Sequence, residues 1–168
     1  MNNTPTYRIA INGFGRIGRM FLRTVINRPG FEVVAINDVM NPSTMAHLLK
    51  YDSVHKKFEG IVEFNQDHIT VNGKKIKVYT EQDPGDLPWS ALDIDVVIES
   101  TGQFTGKEDA LKHVKQAGAK KVIISAPAKG ESDGVQYIVL GVNDHLINKQ
   151  EKVISNSSCT TNNVAPMI

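Results

Sequence analysis

Apolar residues fall in short, dense runs along the chain: YRIAI (7–11), EVVAI (32–36), DVVIE (95–99), KVIIS (121–125), YIVLGV (137–142) and KVIS (152–155). They are rich in Val and Ile and do not alternate with polar residues, which predicts strands buried on both faces, as in a parallel sheet. Helical periodicity fills several gaps. Ile17, Met20, Phe21 and Val25 mark one face of a helix over 17–27, ended by Pro29-Gly30. Asn41 and Pro42 suit the cap and first position of a second helix, with Met45, Leu48 and Leu49 as its stripe. Thr105 and Glu108 have capping-box spacing ahead of Ala110, Leu111 and Val114, with Gly118 as the stop. Asn72-Gly73 between β-rich flanks predicts a hairpin at 61–80. The expected fold is α/β: a Rossmann-type, doubly wound, mostly parallel sheet with an antiparallel hairpin insertion.

Composition changes this picture little. A length of 168 residues suits one domain, and 19 Lys and Arg against 18 Asp and Glu argue against nucleic acid or an anionic membrane as partner. No apolar run approaches a membrane span. The start, MNNTPTYRIAING, does not read as a secretory signal. A single cysteine excludes an internal disulfide and a Cys-rich zinc site, and a cytoplasmic setting is expected. No histidine pair has metal-ligand spacing, so no metal is expected. His113, among charged neighbours on a helix, is expected to be exposed.

The segment INGFGRIGR (11–19) changes the picture more. Gly13, Gly15 and Gly18 have G-x-G-x-x-G spacing after a strand and at the opening of a helix. Gly13 permits the tight turn, Gly15 lets a pyrophosphate approach the backbone, and Gly18 lets the helix pack on the sheet. The amides of Arg16 and Ile17 would donate to the phosphates, while the Arg16 and Arg19 side chains read equally well as solvent-facing charges. Asp38 ends the second strand twenty residues after Gly18, where an acid accepts from a ribose and repels a 2′-phosphate; NAD is therefore favoured over NADP. Thr101, Gly102 and Ser125 follow other strand ends and are further cofactor candidates, with ordinary loop residues as the alternative.

Cys159 lies in SNSSCTTN. Ser157 or Ser158 would cap a helix with the cysteine in its first turn, a position that favours thiolate over thiol. A thiolate beside a nicotinamide suits capture of an aldehyde followed by hydride transfer. A buried inert thiol and an oxidant-sensing thiol are the alternatives.

INGFGRIGR, AIND, KYDSVH, ESTG, ISAP, GVN and SNSSCTTN occur in that order. Together they resemble the amino-terminal, NAD-binding half of phosphorylating glyceraldehyde-3-phosphate dehydrogenases. The resemblance implies that Cys159 attacks the aldehyde of glyceraldehyde 3-phosphate and ends as a thioester cleaved by inorganic phosphate. It implies that Ser158 and Thr160 help bind substrate or phosphate. Asn12, Gly13, Gly15, Arg16, Ile17, Gly18, Asp38, Gln82, Thr101, Gly102 and Ser125 would contact NAD. Residues 1–156 would be the NAD-binding domain, and 157–168 the start of the active-site helix leading to a catalytic domain outside this chain. That absent domain would hold the base, and the family's homotetramer would be the assembly. Isolated, the chain is expected to bind NAD without turnover; a relative oxidising erythrose 4-phosphate shares the cysteine motif. This sequence departs from the family at Ser157 (often Ala), Asn163 (often Cys), Gln82 (often basic), Lys56 (often Gly) and a slightly long 128–136 loop.

Overall fold

The structure is a computed structural model that describes residues 6–129 and 134–168. The first residues of the stretch read for a secretory signal, and the middle of the 128–136 loop, lie outside the described residues.

The elements follow the expected strand–helix rhythm: β1 (Tyr7–Asn12), α1 (Arg16–Val25), β2 (Phe31–Asn37), α2 (Pro42–Lys50), β3 (Val62–Phe64), β4 (His68–Val71), β5 (Lys74–Tyr79), β6 (Val96–Glu99), α3 (Lys107–Lys115), β7 (Lys121–Ile124), β8 (Gln136–Tyr137), β9 (Val153–Ser155) and α4 (Cys159–Val164). Among the described residues these strands form one sheet, in the order β3-β4-β5-β2-β1-β6-β7-β9-β8. From β5 to β9 every pairing is parallel, and only the β3-β4-β5 corner is antiparallel. Leaving out that insertion, the order is the doubly wound one, reversing direction between β1 and β6. Asn72 and Gly73 close the β4–β5 hairpin with φ of 51° and 79°, the type I′ signature.

The pleat sorts side chains onto two cores. Ile9 and Ile11 of β1 pack with Leu22 and Val25 of α1 and Met45 and Leu49 of α2. Ala10 of β1 and Ala35 of β2 face the other way, toward Trp89, Leu87 and Ala110 of α3. The two alanines, paired in register, leave room there for the fully buried indole. At α2 the cap is as expected: the Asn41 side chain accepts the Thr44 N–H at 2.9 Å, with Pro42 in the first turn.

Two expected elements differ. YIVLGV (137–142) pairs only through Gln136–Tyr137 and then turns. The Asn143 side chain accepts from Val139 N at 2.7 Å and donates to Tyr137 O at 3.0 Å, and Asp144 accepts from Gly141 N at 2.7 Å. Such local bonds compete with a sheet ladder and here displace it. Likewise, Thr105 does not cap α3: the cap is Gly106, without a side-chain bond. The Thr105 carbonyl accepts from Lys129 N, which draws the residue into the interior at 2% exposure. Lys56, where the family often has Gly, adopts a left-handed φ of 60°.

Candidate functional site

A cleft of about 470 Å³ opens beyond the carboxyl ends of β1, β2 and β6, at the point where strand order reverses. Of the residues expected to bind cofactor, it brings together Asn12, Gly13, Gly15, Asp38, Gln82 and Thr101. Val39, Glu81, Ser100, Gln103 and Phe104 complete much of the wall. Arg16, Ile17 and Gly18 form the adjoining first turn of α1 but do not line the cleft, and Gly102 and Ser125 also stand outside its lining.

The glycine loop divides its tasks by geometry. Gly13 has φ of 89°, and a Cβ there would sit 2.6 Å from Thr101 N. A Cβ at Gly18 would collide with the Gly13 carbonyl. At Gly15 nothing lies within 4 Å of that position, so the backbone there faces open space. Between them, Phe14 is clamped from two sides. Its N–H donates to Asp38 Oδ2 at 2.6 Å, and its carbonyl accepts from Arg19 Nη1 at 3.0 Å. Arg19 is therefore a buried residue, not the solvent-facing charge that was one expectation; Arg16 is exposed. Asp38 also accepts from Met40 N at 3.0 Å, so it organises the loop as well as lining the cleft.

Below the cleft floor lies a polar network. Asn37 donates to Asn12 Oδ1 at 2.7 Å and grips Glu81 through both its backbone N–H and C=O, each at 2.9 Å. Asn12 donates to Glu99 Oε2 at 2.6 Å, so its amide is committed inward. His113, expected to be exposed, is wholly buried: Trp89 Nε1–H donates to its Nδ1 at 3.0 Å, and its Nε2 meets Glu99 Oε2 at 3.2 Å. α3 turns this residue toward the sheet while its charged neighbours face outward, because Ala110 and His113 share one face at i, i+3.

The cysteine turn follows β9 at the same edge of the sheet. Ser157 is buried with a left-handed φ of 59°, a strained conformation. Ser158 is the cap: its Oγ accepts from Thr161 N at 2.9 Å and lies 2.9 Å from Thr160 Oγ1. Cys159 is the first residue of α4 and is exposed. Asn162 ties this turn to the strand end, donating to Asn156 O at 2.7 Å and Ser158 O at 2.9 Å. Among the described residues no group of three or more His, Cys, Asp or Glu is placed to hold a metal ion, and no helix is long and apolar enough to cross a membrane.

Near the start of α1, Asp52 accepts from Val54 N at 2.9 Å and His55 N at 2.8 Å. Those amide bonds, from His55 first and then Val54, hold its carboxyl at about 2, against an ordinary 3.8, with smaller help from the His55 ring and Arg16. A depressed folded-state pKa contributes stability above the unfolded value, lost as pH falls through the folded one. Denaturation midpoints should therefore fall between about pH 4 and pH 2, with a shallower fall in Asp52→Asn. Asp83, lowered by the Gly85 N–H and Lys112, keeps that slope from vanishing. An identical profile in Asp52→Asn would contradict this reading.

A family pattern described as glyceraldehyde 3-phosphate dehydrogenase, NAD binding domain, matches residues 7–107. The chain belongs to that family. It carries an NAD-binding domain, and NAD is its cofactor. Similar proteins include the glyceraldehyde-3-phosphate dehydrogenases of Thermotoga maritima (55% identical, covering 96% of this chain and 48% of the relative) and Mycoplasma pneumoniae (49%, 98% and 48%). That of Geobacillus stearothermophilus is 54% identical over 95% of this chain and 47% of its own length. The chain thus spans about half the length of the curated relatives it matches. The cleft is compatible with the cofactor: nothing lies within 4 Å of where a Gly15 side chain would start, and Asp38 and Glu81 place carboxylates in the wall.

For a dehydrogenase NAD domain, several structurally central residues were not singled out from sequence. Asn37 had a signal: Ala-Ile-Asn ends both β1 and β2. Glu99, His113 and Trp89 had none, since their meeting depends on α3 packing against β7 and the Pro84–Asp86 turn.

Proposed function

We propose that this chain is the NAD-binding half of a cytoplasmic, homotetrameric glycolytic dehydrogenase that converts glyceraldehyde 3-phosphate and inorganic phosphate to 1,3-bisphosphoglycerate. The carrying observation is the open cradle at Gly15, on the same sheet edge as the capped cysteine turn. Residues 1–156 form the cofactor domain, and 157–168 begin the active-site helix that leads to a catalytic domain.

The amides of Gly15, Arg16 and Ile17 face the diphosphate; Asp38 takes a ribose hydroxyl, Gln82 borders the adenine, and Thr101, Gly102 and Ser125 flank the remaining cofactor surface. Bound NAD supplies a hydride acceptor. Cys159 Sγ, as thiolate, adds to the aldehyde carbon: a C–S bond forms as the carbonyl π pair moves to oxygen, and loss of that carbon's hydrogen as hydride would re-form the carbonyl as a thioester. At the thioester stage a phosphate oxygen attacks the same carbon, the C–S bond breaks, and the thiolate returns. Ser158 and Thr160 hold substrate or phosphate oxygens beside the sulfur. The names of the relatives favour glyceraldehyde 3-phosphate over erythrose 4-phosphate.

Calorimetry of the 168-residue chain with NAD tests the core of this reading. Binding is expected; none at millimolar NAD would sink it. Asp38→Ala should weaken NAD about tenfold, since Phe14 N–H loses its acceptor, and should narrow the NAD-over-NADP ratio. An unchanged ratio removes Asp38 from the ribose role. With the catalytic domain attached, Cys159→Ser should abolish NADH formation from glyceraldehyde 3-phosphate while NAD binding persists.

A further inference from the structure

Thr101 is connected to the interior by hydrogen bonds whose direction the chemistry determines. Trp89 Nε1–H can only donate, so His113 Nδ1 must accept and carries no proton. The neutral ring then holds its proton on Nε2 and points it at Glu99 Oε2. Asn12 Nδ2 donates to that same oxygen at 2.6 Å. The other oxygen, Oε1, accepts the Thr101 N–H at 2.8 Å and is closely approached by the Thr101 hydroxyl. Four donors around one side chain match the acceptor capacity of a carboxylate. With Glu99 accepting on every side, the Thr101 hydroxyl must spend its single hydrogen inward.

That leaves Thr101 Oγ1 two lone pairs. One accepts from Gln103 N–H at 3.1 Å. The other is left for a ligand, Thr101 being a half-buried residue of the cleft wall. We infer that Glu99, oriented by His113 and Trp89, is a positioning residue that makes Thr101 a hydrogen-bond acceptor toward the ligand. Such an oxygen receives a sugar hydroxyl and has no proton for a phosphate oxygen. Thr101 therefore faces a ribose of the dinucleotide and leaves the diphosphate to the glycine loop. This assignment rests on the proposed use of the cleft for NAD.

The test titrates four NAD analogues, each lacking one ribose hydroxyl, into the 168-residue chain and its variants. One analogue should bind the unaltered chain about tenfold more weakly than NAD through loss of its bond to Thr101. Thr101→Val should bind NAD and that analogue equally, and Thr101→Ser should restore the difference. If Thr101→Val discriminates among all four as the unaltered chain does, or the unaltered chain shows no discrimination, the acceptor role is overturned. Glu99→Gln places an amide donor against one set of donors, so it should lose the same discrimination; a folded Glu99→Gln that discriminates normally removes Glu99 from the role. Should that variant not fold, ring ¹⁵N resonances of the unaltered chain still decide the chain of bonds. A bare Nδ1 and protonated Nε2 on His113 are expected, and the opposite tautomer overturns the inference. Failure of the unaltered chain to bind NAD at all would defeat the dinucleotide reading, while the tautomer measurement would separately judge the interior polarity.

Discussion

Gly18→Ala is expected to destabilise the domain by about 3 kcal/mol or more and to abolish detectable NAD binding. The new methyl would collide with the Gly13 carbonyl and come within 3.0 Å of Ile11 Cγ2 and 3.1 Å of Ser100 Oγ. These obstacles belong to β1, the glycine loop and the turn after β6, none of which can give way alone. α1 would have to lift off the sheet, withdrawing Leu22 and Val25 from the core they share with Ile9 and Ile11. The control is Gly15→Ala. Its backbone is at φ −69°, nothing lies within 4 Å of the added carbon, and the fold should tolerate it within about 0.5 kcal/mol. The methyl would occupy the space a diphosphate needs, so NAD affinity should still fall at least about tenfold. Urea denaturation and calorimetry on both variants check the pair. A stable Gly18→Ala that binds NAD normally would refute the close-packing account, and unchanged NAD binding by Gly15→Ala would refute the cradle.

His113→Leu should cost about 2–4 kcal/mol, since a buried donor left without its acceptor costs about 1–3 kcal/mol and a buried carboxylate losing one donor adds to that. Leucine fills similar space but leaves the Trp89 N–H without an acceptor and takes one donor from the Glu99 carboxylate, both in the interior. Trp89 is the only tryptophan, so its fluorescence follows the denaturation curve and senses the lost bond directly. It also packs against the His113 ring, with centroids 6.4 Å apart, and edge-on to Tyr79. Gln at 113 has both a donor and an acceptor and should recover part of the loss. A His113→Leu variant within about 1 kcal/mol of the parent would show that the network contributes little net stability.

The expected exposure of His113 illustrates how sequence and structure part company. Charged residues surround it in KEDALKHVK, and its i, i+3 neighbour Ala110 is too small to mark an apolar stripe. A small residue suits the position, because α3 packs against β7 and the Pro84–Asp86 turn, and from there the imidazole reaches Glu99. By contrast, the doubly wound sheet was legible because its central strands are buried on both faces and therefore lack alternation. The hairpin was legible because Asn-Gly tolerates the paired positive φ that its turn demands. YIVLGV misled because Asn143 and Asp144, just beyond the run, bind its backbone and end the strand after Tyr137.

At the site, local chemistry was readable and long-range commitment was not. The glycine spacing and the serine-capped cysteine depend on neighbours within one turn, so the sequence by itself determined their form. The same holds for Asp38 at the end of its strand. The tertiary structure alone decided that Asp38 also holds Phe14 N–H, that Arg19 turns inward to the same residue, and that Asn12 bonds Glu99 across two parallel strands. Those partners lie from 5 to 87 residues apart in sequence. Backbone conformation is set largely by adjacent residues, whereas a buried polar group takes whichever partner the packing of distant elements brings to it.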